Sequence, residues 1–239
     1  MTKFTRTYPT DLKYTEWKLI ADFFPAYHLG RPRKWEMWQI LNAILYVVRT
    51  GCQWRMLPTN LPPWQTVYGY FRRWKKNGLW ERINEALVKK VRVKHGREPE
   101  PSAGIVDSQS VKTSEGGEQR GIDVHKQTPG RKRHIVTDTL GLLLIVLVHS
   151  ASLQDAASGY QVLQKLFASL KRSVHNRWCR LKLLWADAAY ASIVENVRKK
   201  FGWLGRYRRL ARDFEHTVSS SESVVYIASI RRMLKLATN

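Results

Sequence analysis

Two aspartates stand where short apolar runs end. Gly104 to Val106 runs into Asp107, and Leu181 to Ala186 runs into Asp187, so each acid leaves the end of an expected strand. Carboxylates leaving neighbouring strands can share divalent cations, because Mg²⁺ takes hard oxygen ligands and keeps several of its waters. Two such ions a few ångströms apart can activate a water and stabilise the leaving oxygen when a phosphodiester is displaced. The plainer alternative is that each acid caps a strand or a turn. His125, His134 and His149 lack the spacing of metal ligands, and Glu115 and Glu118 sit in a Gly-rich loop. Both sets read as surface or structural groups.

Chemistry on a polyanion also needs cations, and the chain has an excess of them. There are 41 Lys and Arg against 19 Asp and Glu, a formal net charge of +22. Solubility needs far less, which points to nucleic acid, with an anionic membrane surface well behind. The basic residues lie among aromatics and aliphatics, as on the surfaces of a globular protein rather than in a basic tail. One group is Arg72, Arg73, Lys75 and Lys76. A second, Arg131, Lys132 and Arg133, follows the turn at Pro129-Gly130 and lies between the two aspartates in sequence. It would neutralise phosphates near the acids, or it is a solvated loop feeding a strand. A third, Gly205 to Arg209 with Arg206 and Arg208, reads equally as a DNA contact or as a helix surface.

The elements that must position these groups change character midway. Trp35 to Arg49 has Met37, Ile40, Leu41, Ile44, Leu45 and Val48 at helical spacing, and Gly51 stops it. After Pro58, Pro62 and Pro63, a second helix from Trp64 to Asn77 puts Trp64, Val67, Tyr68, Phe71 and Trp74 on one side and the basic group largely on the other. A third, Leu79 to about His95, keeps Ile83, Leu87 and Val91 inside and Lys89, Lys90, Arg92 and Lys94 outside. The first two resemble a helix-turn-helix with a long connection, or a helical subdomain with a basic face. Residues 96–102, with two prolines and no apolar side chain, read as a linker. Beyond it, Arg133 to Thr137 and Leu142 to Val148 make a hairpin through Leu140 and Gly141. A helix over Tyr160 to Leu170 and the Leu181 strand follow, an α/β order. Ser219 and Glu222 have capping-box spacing at the start of a last helix.

Cys52 and Cys179 form no CxxC pair, so neither a zinc site nor a disulfide framework is expected, in keeping with a reducing cytosol. No apolar run is long enough to span a bilayer, and Met1 to Arg6 lacks the apolar stretch of a signal peptide. A soluble, cytoplasmic chain without a membrane partner is the expectation.

Ordered matches along nearly the whole length resemble the DDE transposases of insertion-sequence family five, within the insertion-sequence four superfamily. They include Tyr8-Pro9-Thr10-Asp11-Leu12, Gly30-Arg31-Pro32-Arg33, and Arg49 to Pro58. Pro63 to Tyr68, Phe71 to Trp74, Asp107 to Thr113, Gly130 to His134, Trp185-Ala186-Asp187 and Trp203 to Leu210 complete them. The resemblance implies a helical, helix-turn-helix-like DNA-binding domain over residues 1–95, a linker over 96–102, and a ribonuclease-H-like catalytic domain over 103–239. It implies double-stranded DNA as partner, both terminal inverted repeats and target, with a homodimer on the DNA as one arrangement. Strand cleavage and transfer would use Mg²⁺ or Mn²⁺, two ions, held by Asp107 and Asp187 as the first and second acids of the family triad. The third acid should precede Phe201, but Arg198 stands at that position, and Glu195 is only eight residues after Asp187. An internal deletion between 190 and 201, which removed a strand and the start of a helix, is the simplest reading. The family's usual glycine after the second acid is Ala188. The expectation therefore divides between a working transposase and a defective remnant that only binds DNA, with a free-standing two-aspartate nuclease as a third alternative.

Overall fold

The computed structural model describes residues 4–24, 33–114, 116–124, 126–153, 161, 164–165, 178, 180–185 and 204–238. A short α1 (Tyr14–Lys18) precedes α2 (Met37–Thr50), in which Ile40, Leu41, Ile44, Leu45 and Val48 are buried on one apolar stripe. Glu36 and Gln39 cap its start reciprocally, and Gly51 ends it in the left-handed region at φ 74°. Space is tight there as well, because a Cβ at Gly51 would lie 3.0 Å from the Cβ of Arg208. α3 (Trp64–Lys76) begins directly after Pro62-Pro63 and buries Val67, Phe71 and Trp74. α4 (Leu79–Lys94) buries Leu79, Trp80, Ile83, Leu87 and Val91. Periodicity places these three helices to within two residues at either end. On α4 one side chain departs from it. Arg92, expected outside, is buried and ion-paired with Asp138.

The sheet comprises β1 (Ala103–Lys112), β2 (Gly121–Asp123), β3 (Thr128–Asp138), β4 (Leu143–Ser150) and β5 (Leu183–Trp185). β3 is central. It pairs antiparallel with β1, from Gly104 opposite Asp138 to Lys112 opposite Gly130, and antiparallel with both β4 and β2. The other edge of β1 runs parallel to β5. The strand expected to end at Asp107 therefore continues to Lys112, because β3 offers ladder partners to Ser108, Gln109 and Ser110 despite their polar character. The β3–β4 turn falls where Leu140 and Gly141 predict it, with the Asp138 carboxylate accepting the backbone N–H of Leu140 at 3.0 Å and of Leu142 at 2.8 Å. Most of the helix expected over Tyr160 to Leu170 lies outside the described residues.

Two helices close the chain, α5 (Arg208–Ala211) and α6 (Val218–Thr238). The expected capping box at Ser219 is displaced. The Thr217 hydroxyl accepts the Ser220 N–H at 3.2 Å, while the Glu222 carboxylate accepts the Val148 N–H from β4 at 3.0 Å. α6 is buried over most of its length, through Val224, Val225, Ile227, Ile230, Met233 and Leu234 and also through Ser220, Ser221, Ser223, Ser229 and Arg231, whose polar groups need partners inside. It packs against β4 and against α1, α2 and α4. One apolar core consequently runs from Leu12 to Leu234, continuous across residues 96–102. The architecture is mixed α/β, a helical N-terminal region followed by a mixed sheet, as expected. No helix among the described residues is long and apolar enough to cross a membrane.

Candidate functional site

Asp107 sits within β1, opposite Ile135 of β3 and half-buried. Its Oδ1 accepts the N–H of Ser108 at 2.7 Å, which fixes the carboxylate beside its own strand. On the other edge of β1 the last described pair is Ile105 with Trp185. Each of these residues precedes an aspartate by two positions in sequence, Asp107 in one case and Asp187 in the other. Asp187 lies outside the described residues, as do Glu195 and Arg198. Among the described residues, no three His, Cys, Asp or Glu side chains come together to hold a metal ion. As a hard oxygen donor, Asp107 nevertheless suits Mg²⁺ or Mn²⁺ by type. His134 and His149 are both buried and stack ring on ring at 4.9 Å between β3 and β4.

The basic cluster at 131–133 is corrected by the structure, since none of its three charges opens to solvent. Arg131 is fully buried and donates to the carbonyls of Glu118 at 3.0 Å, Glu215 at 2.7 Å and His216 at 2.8 Å, with Asp213 at 3.4 Å. Lys132 donates to the Leu153 carbonyl at 3.2 Å and lies 3.7 Å from the Asp123 carboxylate. Arg133 donates to the Leu210 carbonyl at 2.8 Å and lies 3.9 Å from Asp213. Burial pushes the Arg133 guanidinium below its ordinary range, with Asp213 pulling the other way. The cause is β3 itself. A strand flanked on both edges and covered on both faces has no solvent side, so its charges must find partners inside. Arg131 and Arg133 tie the sheet to the segment 210–216.

The other expected basic positions are mostly open. Arg72, Arg73 and Lys76 are exposed on α3, and the Arg73 guanidinium lies over the Tyr70 ring at 5.1 Å. Lys75 is half-buried instead, donating to the Ser220 hydroxyl at 3.0 Å and so joining α3 to α6. Arg206 and Arg208 are exposed, but Arg209 beside them is buried against Glu215 at 2.7 Å. A single 3₁₀ turn (Trp54–Met56) interrupts the long connection between α2 and α3.

Two family models match the chain: one of a transposase of the IS4/5 family over residues 12–84, and one of a transposase DDE domain over residues 98–231, more than half of the chain. Among curated proteins, the chain is 33% identical over 101 residues to the insertion element IS402 uncharacterized 16.2 kDa protein of Burkholderia cepacia. That match covers 41% of this chain and 64% of the length of that protein. No solved structure matches the chain with significance. The mixed sheet, with antiparallel partners on one edge of β1 and a parallel one on the other, fits the ribonuclease-H-like fold of the DDE domain. The chain belongs to the DDE transposases of the IS4/5 family.

Proposed function

We propose that this chain acts on DNA as the transposase of a bacterial insertion sequence. In this reading residues 1–95 hold terminal inverted repeats, residues 103–239 form the catalytic unit, and Asp107 and Asp187 are the carboxylates of strand cleavage and transfer. The observation that supports it is the parallel pairing of β1 with β5, which ends two positions before an aspartate on both sides. Mg²⁺ or Mn²⁺, when bound there, supplies charge neutralisation and an acidified water. The chain's own part is to fix Asp107 by the ladder of β1 and the Ser108 N–H, and to meet DNA phosphates with Arg72, Arg73, Lys76, Arg206 and Arg208.

A second reading is a catalytically defective transposase remnant that only occupies DNA. Arg198, at the position of the family's third acid, favours it, since a fixed guanidinium there opposes a divalent ion. One assay separates the two. The chain is incubated with a duplex bearing its element's end and Mg²⁺, beside Asp107→Ala. Metal-dependent nicking that disappears in Asp107→Ala assigns the enzyme. End binding without nicking assigns the remnant.

A further inference from the structure

A cavity of about 640 Å³ opens between the C-terminal half of α2, the segment at Tyr8 and the last turns of α6. Leu45, Tyr207 and Arg231 are its buried members, and the rings of Tyr8 and Tyr46 pack 4.8 Å apart along one wall. Five cations line it: Arg49, Arg206, Arg231, Arg232 and Lys235. No carboxylate is among the described residues of its lining.

Only part of that charge is offset. Arg231 pairs with Glu16 at 2.7 Å behind the wall. Arg232 donates to the Gly141 carbonyl at 3.0 Å and is attracted by the Asp138 carboxylate, which also pairs with Arg92. Arg49 donates to the Arg206 carbonyl and lies over the Tyr207 ring at 5.3 Å, and a carbonyl and a ring face orient a guanidinium without cancelling its charge. Lys235, exposed at the rim, is pushed below its ordinary pKa first by burial and then by Arg231. Glu16 opposes the shift, and Arg49 and Lys13 add to it. Like charges held together beside aromatic rings are relieved by an anion that brings a flat group with it.

We propose that this cavity binds a nucleoside monophosphate group, the phosphate between Arg49, Arg232 and Lys235 and the base against Tyr8 and Tyr46. Guanidinium forks match phosphate oxygens two at a time, and tyrosine faces accept any base by stacking. The volume lies in the ordinary range for small-molecule sites. The group can come from a free mononucleotide or from the end of a DNA strand. No α3 residue lines the cavity, so the inference does not rest on the proposed duplex contacts of that helix.

The test is titration of the full chain with deoxyadenosine 5′-monophosphate, read by thermal shift and by calorimetry, with deoxyadenosine as control. The nucleotide is expected to raise Tm and the nucleoside to leave it unchanged. Lys235→Gln, at the exposed rim, should weaken nucleotide binding about tenfold with its unliganded Tm intact, and Lys235→Arg should restore it. An equal response to deoxyadenosine, or unaltered binding in both Lys235→Gln and Arg49→Gln, overturns the proposal. Competition then identifies the source. A 5′-phosphorylated single strand that displaces the nucleotide better than its 5′-hydroxyl twin assigns a strand end, and two equally ineffective strands assign a free nucleotide. Arg72→Ala with Arg73→Ala, which tests the duplex reading, should keep the full nucleotide response, so the two readings can fail separately.

Discussion

At Asp213 one carboxylate faces two buried guanidiniums, with Arg131 at 3.4 Å and Arg133 at 3.9 Å, and accepts the Ser221 hydroxyl at 2.7 Å. Removing the acid leaves two charges in the interior without their counter-ion. Asp213→Ala should therefore cost about 3–5 kcal/mol in urea unfolding, and a loss under 1 kcal/mol would show that the carbonyl partners alone sustain the pair. Asp123 offers a pH-dependent counterpart. The Ser110 hydroxyl is the main influence holding its carboxyl below the ordinary range; burial works against it, and the Lys126 N–H and Lys132 add to it. A carboxyl with a depressed folded pKa stabilises above its unfolded value of about 4 and loses that contribution as pH falls through the folded value. Ser110→Ala should thus move the acid-unfolding midpoint to higher pH, and an unmoved midpoint would remove the hydroxyl from the account. Neither cluster was legible in the sequence. Arg131 and Asp213 are separated by 82 positions, and a run of basic residues looks the same whether it faces phosphate or a buried acid.

Helices and strands were legible to different degrees, and for a physical reason. A helix writes its buried face into a local period, so α2, α3 and α4 emerge from the spacing of Ile40, Ile44, Phe71, Trp74, Ile83 and Leu87 alone. A strand draws its length from its neighbours. β1 carries Ser108, Gln109 and Ser110 only because β3 pairs with them, so its last five residues left no signature. Of the candidate site, the open cations of α3 and Asp107 could be read in advance, whereas Lys75 was diverted to Ser220 by a contact across 145 positions. The helix ends give two tests. Thr217→Ala removes the cap of α6 and should cost about 1 kcal/mol; the same denaturation curve for both proteins would move the cap elsewhere. Gly51→Ala meets both a positive φ and the Cβ of Arg208, and should cost more than about 1 kcal/mol.

Over the whole molecule, the net charge of +22 overstates what can reach a ligand. Arg92, Arg131, Lys132, Arg133, Arg209 and Arg231 are all buried, most beside acids of the same fold. Among the described residues, the cations left outside include Arg72, Arg73 and Lys76 of α3, Arg49 of α2, Arg82, Lys90 and Lys94 of α4, Arg206, Arg208, and Lys235 of α6, and phosphate binding has to be shared among such groups. Each phosphate neutralised contributes about 0.9 to the slope of log affinity against log salt, because it releases a condensed counter-ion. If α3 meets duplex DNA through Arg72 and Arg73, then Arg72→Ala with Arg73→Ala should weaken binding and lower that slope by about 2. The control is Arg131→Met with Arg133→Met, whose charges are internal. This pair should lower stability while leaving the slope of the folded protein unchanged. The opposite pattern, an unchanged slope in the α3 variant and a reduced one in the β3 variant, would return the DNA surface to the sheet and contradict the burial of those two guanidiniums. Fluorescence anisotropy across a salt series at a temperature well below unfolding reads both variants on one scale.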